Sequence, residues 1–277
     1  PDGPEKILKD FGIEPEEFKE QELLNFIDEY TNQAYHHSTI GIFAPWAIYK
    51  KDFQDIGGHD PLYAPQSKED SDIFNRFVLA GYDLVQTWEG FIYHMTCRGS
   101  RFKDGALRNP AGQVFMKGRE STEWLEQNLR STRNFIRKWG HMVKHDNMMY
   151  PIIPPKYDIG FIVRNCDFGV LKELEPWCST IYIEYTGVIE SYIKEEQKNT
   201  EFNLKDKIKH YINQSKTDND IIIEFDCNHL NANNFQTIVN LSEILQESGD
   251  IGIMEYDIFK FHIKSLKTYE KELILVK

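Results

Sequence analysis

Cysteine is what this chain has least of. Its four residues, Cys97, Cys166, Cys178 and Cys227, show no Cys-x-x-Cys pairing, so neither a disulfide framework nor a cysteine zinc site is suggested. Reduced thiols in a cytosol-like compartment are the expectation. Long hydrophobic runs are missing too. No apolar stretch approaches the roughly 18 residues of a membrane helix, and no secretory leader is visible. Gly-x-Ser-x-Gly, P-loop and Gly-x-Gly-x-x-Gly patterns are absent, which leaves those three chemistries without a sequence signal. Positive charge is scarce: 32 Lys and Arg stand against 44 Asp and Glu, a net charge of −12. That balance argues against general nucleic-acid binding.

What is present is apolar and aromatic. A hydrophobic fraction of 40% and an aromatic fraction of 13% mark a packed globular protein, and 277 residues leave room for two domains. The scarce positive charge is concentrated. From Cys97 to His145 eleven Lys or Arg face four Asp or Glu, so this segment is basic within an acidic chain. Arg98, Arg101, Lys103 and Arg108 fall in a Gly-containing loop. Arginines in such a loop suit a diphosphate, to which they give forked, charge-assisted hydrogen bonds.

The stretch richest in chemistry is Ser67-Lys68-Glu69-Asp70-Ser71-Asp72. Ser67 reads as an N-cap with Asp70 in a capping-box-like position. Ile73, Phe74, Phe77 and Val78 then recur at helical spacing, and Gly81 is a natural stop. A carboxylate in a first helical turn is held ionised by the free N–H groups and can accept a proton, though such residues also serve as plain capping. His94 lies about one βα unit downstream, with Arg98 and Arg101 just beyond it.

Around this stretch stand Gly41-Ile42-Phe43-Ala44-Pro45-Trp46, then Phe53-Gln54-Asp55-Ile56-Gly57-Gly58-His59-Asp60 upstream, and Gly81-Tyr82-Asp83-Leu84-Val85 and Phe91-Ile92-Tyr93-His94 downstream. In that order, over residues 40–102, they resemble the second half of the catalytic domain of A-type-fold nucleotide-sugar glycosyltransferases. The nearest likeness is to the large inverting family. The run Glu69-Asp70-Ser71-Asp72-Ile73-Phe74-Asn75-Arg76 looks like the helix start of the beta-1,4-galactosyltransferases. The resemblance implies a metal-dependent, inverting transfer of sugar from a nucleotide-sugar donor to an acceptor hydroxyl. It makes Asp70 the general base, Glu69 an acceptor-binding or orienting group, and His94 a ligand of Mn²⁺ or Mg²⁺. Gly58, His59 and Asp60 form the turn that positions the acceptor in that family, and Arg98 and Arg101 would meet the donor diphosphate. Trp46 could stack on a sugar, though a tryptophan at a strand end is also common core packing.

The chain departs from the family at its beginning. Only some forty residues precede the Gly-Ile-Phe strand, without the nucleotide-binding half and its Asp-x-Asp motif. Asp70-Ser71-Asp72 has that spelling but sits at a helix start, so it does not read as the nucleotide site. The expectation is an α/β fragment of a longer protein: residues 1–148 as the acceptor-side half of the catalytic domain, and 156–277 as a small α/β accessory domain. The proline-rich junction Pro151-Ile152-Ile153-Pro154-Pro155 separates them.

Within the first part, Phe18, Leu23, Phe26, Ile27 and Tyr30 predict a buried helix face. Glu120–Trp139 predicts an amphipathic helix with Trp124, Leu125, Phe135, Ile136 and Trp139 inward, and Arg130, Arg133 and Arg137 on a solvated face. In the second part, strands are expected at Tyr157–Arg164, Thr180–Tyr185, Asp220–Asp226 and Gly252–Ile263. Helices are expected at Gly169–Trp177, Leu204–Ile212 and Asn233–Gln246. A fainter resemblance, to glycosyltransferase-type proteins of large tailed bacteriophages, implies a host cytoplasm. The alternative reading is a non-catalytic carbohydrate-binding or assembly protein that keeps the half-fold. Under either reading the expected partners are a glycan or another hydroxyl acceptor, with a nucleotide-sugar donor for the enzyme, and neither nucleic acid nor a membrane segment.

Overall fold

A computed structural model describes residues 7–34, 37–42, 45–94, 106–108, 110, 114–116, 121–212 and 217–276. In chain order the first part holds α1 (Glu20–Ala34), β1 (Ser38–Ile40), α2 (Lys50–Asp55), α3 (Glu69–Leu79), β2 (Val85–Thr87), β3 (Ala106–Arg108), β4 (Val114–Met116) and α4 (Thr122–Trp139). The second part holds β5 (Ile159–Arg164), α5 (Phe168–Leu174), β6 (Thr180–Ile183), α6 (Thr186–Glu196), α7 (Leu204–Lys207), β7 (Ile208–His210), β8 (Ile221–Asp226), α8 (Ala232–Val239), α9 (Leu241–Ser248), β9 (Gly252–Tyr256) and β10 (Phe259–Ile263). The molecule is mixed α/β. Among the described residues, no helix is long and apolar enough to cross a membrane.

The second part is built on one six-stranded sheet in the order β7-β6-β5-β8-β10-β9. Strands β7, β6, β5 and β8 run parallel, and β10 is antiparallel to both of its neighbours. Period-two alternation assigns the side chains. Ile159, Phe161 and Val163 join Ile221, Ile223 and Phe225 in the main core, while Ile162 and Ile222 meet Tyr182 in a small second cluster. Leu171 and Leu174 of α5, Tyr192 of α6 and Leu245 of α9 close the main core. Among the described residues the first part has short paired strands, β1 with β2 and β3 with β4. Its core is α3, whose Ile73, Phe74 and Phe77 gather Ile56 and Leu84.

The two parts share α4. Ser121 caps its start by accepting from the Trp124 N–H, and Gly140, at φ 81°, ends it in the left-handed region that favours glycine. Phe135 and Trp139 pack with Leu62 and Tyr63 of the first part, whereas Ile136 belongs to the main core of the second. Its arginines are not a solvated face. Arg137 is buried and donates to Glu175 and Glu196; Arg133 donates to Glu196 with both Nε (2.9 Å) and Nη2 (3.0 Å). Arg130 donates to the Ala64 carbonyl. Of the expected apolar face, Trp124 is half-buried and Leu125 exposed. The C-terminal segment returns to the first part, where Ile274 packs on the α3 cluster and Leu273 on the Tyr63 cluster.

Several local expectations need correction. The N-cap of α3 is Lys68, at φ 76°, and Ser67 at φ 80° spends its hydroxyl on Asn128 of α4 instead. Two consecutive left-handed residues carry the Ser67 side chain away from the helix start. Leu204–Ile212 is one helical turn and then β7, because pairing with β6 takes over at Ile208. Asn233–Gln246 is two helices broken at Asn240, and Gly252–Ile263 is a hairpin reversing at Asp257, φ 51°. Trp46 stands in a loop before α2 rather than at a strand end, and residues 91–94 form no strand. Phe18, Leu23, Phe26, Ile27 and Tyr30 are half-buried or exposed, with Phe26 and Tyr30 in ring contact.

Candidate functional site

Gly57 (φ 84°) and Gly58 (φ 68°) are consecutive left-handed residues, a turn that only glycine enters without strain. A Cβ on Gly58 would also meet the Phe53 ring at 3.1 Å. Arg76, fully buried on α3, fastens this turn to the helix. Its Nη1 donates to the Ile56 carbonyl at 2.8 Å, its Nη2 to the Gly58 carbonyl, and its Nε to Asp72 at 2.8 Å.

Asp72 is buried and saturated. It accepts from the Tyr63 hydroxyl at 3.2 Å and the Trp139 indole at 2.9 Å as well, and pairs with Lys138 at 2.7 Å. The second aspartate of the Asp70-Ser71-Asp72 spelling is therefore a structural hub. Asp60 is structural in the same way. It accepts from the Leu62 N–H at 2.9 Å and from Lys138 at 2.7 Å.

The clamp brings His59 beside the first turn of α3. His59 is exposed, in edge contact with Trp46 (6.1 Å) and Phe53 (5.6 Å). Glu69 and Asp70 are half-buried, and burial raises both carboxyl pKa values above their ordinary range. The nearby His59 works against that rise in each case, as do backbone N–H groups at Glu69 and Ser67 for Glu69. One oxygen of Glu69, Oε2, is shielded from solvent and has no hydrogen-bond partner among the described residues. Trp46 is half-buried, with Phe74 and Phe77 against it at 6.0 and 5.8 Å, so much of its surface is committed to the α3 cluster.

The structure thus brings together Glu69, Asp70, Gly58, His59 and Trp46. Asp60 is adjacent in the chain but turned to Lys138. His94 is exposed at the end of a described stretch, and the histidine that lowers Glu69 and Asp70 is His59, while the Asp70 carboxylate raises Glu69. Arg98 and Arg101, with Cys97 and Lys103, lie outside the described residues. Among the described residues no group of three or more His, Cys, Asp or Glu is arranged to hold a metal ion. His94 alone is too small a donor set to test the fit of Mn²⁺ or Mg²⁺.

The role of Arg76 was missed in the sequence, although an arginine four residues after a buried aspartate is the available signal. These features define a mixed α/β protein with a desolvated carboxylate pair beside a histidine and an aromatic cluster. No protein-family model, no curated protein and no solved structure matches the chain.

Proposed function

We propose that the chain carries the acceptor side of an inverting, metal-dependent glycosyltransferase. The observation that supports this reading best is the orphaned Glu69 Oε2 next to a carboxyl, Asp70, that burial has made more basic than usual. A buried acceptor without a donor is costly, and an acceptor-sugar hydroxyl is a donor of the right kind. Asp70 takes the proton from that hydroxyl while its oxygen bonds the anomeric carbon of the donor. The bond to the nucleoside diphosphate breaks as this happens. Glu69 orients the acceptor, Trp46 and His59 border it, and Arg76 keeps the Gly57-Gly58 turn in register with the base. His94 would be the metal ligand this chain supplies, and a metal there would offset charge on the departing diphosphate.

The test is turnover of the natural full-length protein with a panel of nucleotide sugars. Asp70→Asn should lower turnover by roughly a hundredfold or more while leaving donor KM nearly unchanged. Near wild-type turnover would contradict the base assignment. A wild-type protein that binds glycans but transfers nothing would favour the carbohydrate-binding alternative.

A further inference from the structure

Between the two parts lies a cavity of about 590 Å³, within the roughly 300–1,000 Å³ typical of small-molecule sites. Six separate segments converge on it, one of them the C-terminal residues 269–276, which form one side. It adjoins the candidate site through Val276, whose Cβ lies where a Cβ on Gly57 would be only 3.2 Å away.

The charges in its wall decide what it can hold. Lys138 is neutralised by Asp60 and Asp72, both at 2.7 Å. Lys156 donates to the Arg137 (2.8 Å) and Lys138 carbonyls at the end of α4, but burial, with Lys207 and Lys138 nearby, lowers its pKa to about 7. Asp158 accepts from the Asn219 amide at 2.8 Å and the Asp220 N–H at 3.4 Å. The inner groups are therefore already hydrogen-bonded, and Glu201 and Glu272 add carboxylates at the exposed edge. An anion would meet four carboxylates. Asp60 and Asp158 already accept hydrogen bonds, so a cation would be left with Glu201 and Glu272 at the exposed edge, where water screens them. Leu62, Phe202, Tyr157, Tyr269 and Leu273 supply apolar and aromatic faces, with Ser179 and the edge carboxylates to engage hydroxyls.

We propose that this interdomain cavity binds a neutral, hydroxyl-rich ligand, a carbohydrate chain. That the chain is the remote part of the acceptor rests on the glycosyl-transfer reading; its binding does not.

The experiment is glycan-array binding by the full chain without donor or metal, repeated with Leu275→Trp. Leu275 lines the cavity but is 57% exposed, so the larger ring fills the space while leaving the core intact, which a thermal melt checks. At least one neutral oligosaccharide should be retained by the wild type, and retention should fall at least about tenfold in Leu275→Trp. Retention of no neutral glycan, of charged glycans only, or of the same glycans by Leu275→Trp would overturn the proposal. Turnover of Asp70→Asn bears on transfer alone, so either reading can fail without the other.

Discussion

Two pairs of acidic residues in this molecule are withdrawn from water, and their carboxyls are shifted in opposite directions. Glu175 and Glu196 lie between α4 and the second part. Burial alone would raise both, but Lys207 and Arg137 hold Glu175 down at about 2, and Arg133 and Arg137 lower Glu196. Glu69 and Asp70 are only half-buried and are raised, because burial outweighs the nearby His59 in both and the Asp70 carboxylate adds to it at Glu69. The difference separates structure from candidate chemistry. A neutralised carboxylate fastens two parts together, whereas an uncompensated one is held ready for a proton or a hydroxyl.

The Arg137 network, a clamp between α4 and the second part, should carry the largest effect. Arg137→Ala leaves Glu175 with Lys207 as its one cation among the described residues and Glu196 with Arg133, and empties a buried site between them, so it should cost about 3 kcal/mol in chemical denaturation. Adding Glu175→Gln to Arg137→Ala should recover part of that loss, since it removes one of the two under-compensated carboxylates. A small loss in Arg137→Ala would mean that the network contributes little.

The same network bears on independence of the second part. Residues 156–277 contain nearly all of the main core and are expected to fold alone, yet Ile136 and Arg137 reach it from α4. Residues 121–277 should therefore resist denaturant better than 156–277, by about 3 kcal/mol. Equal stability would show that α4 only rests on this core.

Acid should expose two buried groups in succession. His141 is held neutral by burial, at about 4 against an ordinary 6.5. Its contribution is complete above pH 6.5 and is lost as pH falls towards 4. Glu175 has its contribution complete above about 4.5 and loses it as pH falls towards 2. Replacing His141 with Phe should flatten stability between pH 6.5 and 4 and leave the lower limb in place. An unchanged upper limb would assign that acid sensitivity to other groups. The smallest effect belongs to the candidate site. Glu69→Gln should raise the Tm at pH 7 slightly, because a carboxyl raised by burial weakens the fold when ionised, while Glu175→Gln should lower it. Equal signs in the two variants would erase the contrast.

Much of the second part was legible in the sequence. Ile159–Arg164 and Ile221–Asp226 are short β-branched runs bounded by polar residues, and the structure pairs them side by side. Leu204 and Ile208 have helical i, i+4 spacing, so only pairing with β6 could reveal that Ile208–His210 is a strand. The α6 helix was invisible because Gly187, Val188 and Ile189 are weak helix formers at its start. In the site, the Gly57-Gly58 turn and the Glu69-Asp70 helix start were readable as motifs. The partners of Arg137 were not, because they lie 38 and 59 residues away. A sequence reader sees an arginine on a polar stripe, and only the fold supplies its carboxylates.

Carbon-detected NMR titration of the individual side-chain carboxyls, assigned through Glu69→Gln, Asp70→Asn and Glu175→Gln, tests the contrast most directly. Glu69 and Asp70 should titrate above the ordinary 4.5 and 3.8, and Glu175 near about 2. Glu69 and Asp70 titrating at or below their ordinary values would contradict the account, since the pair would then be as well compensated as the clamp.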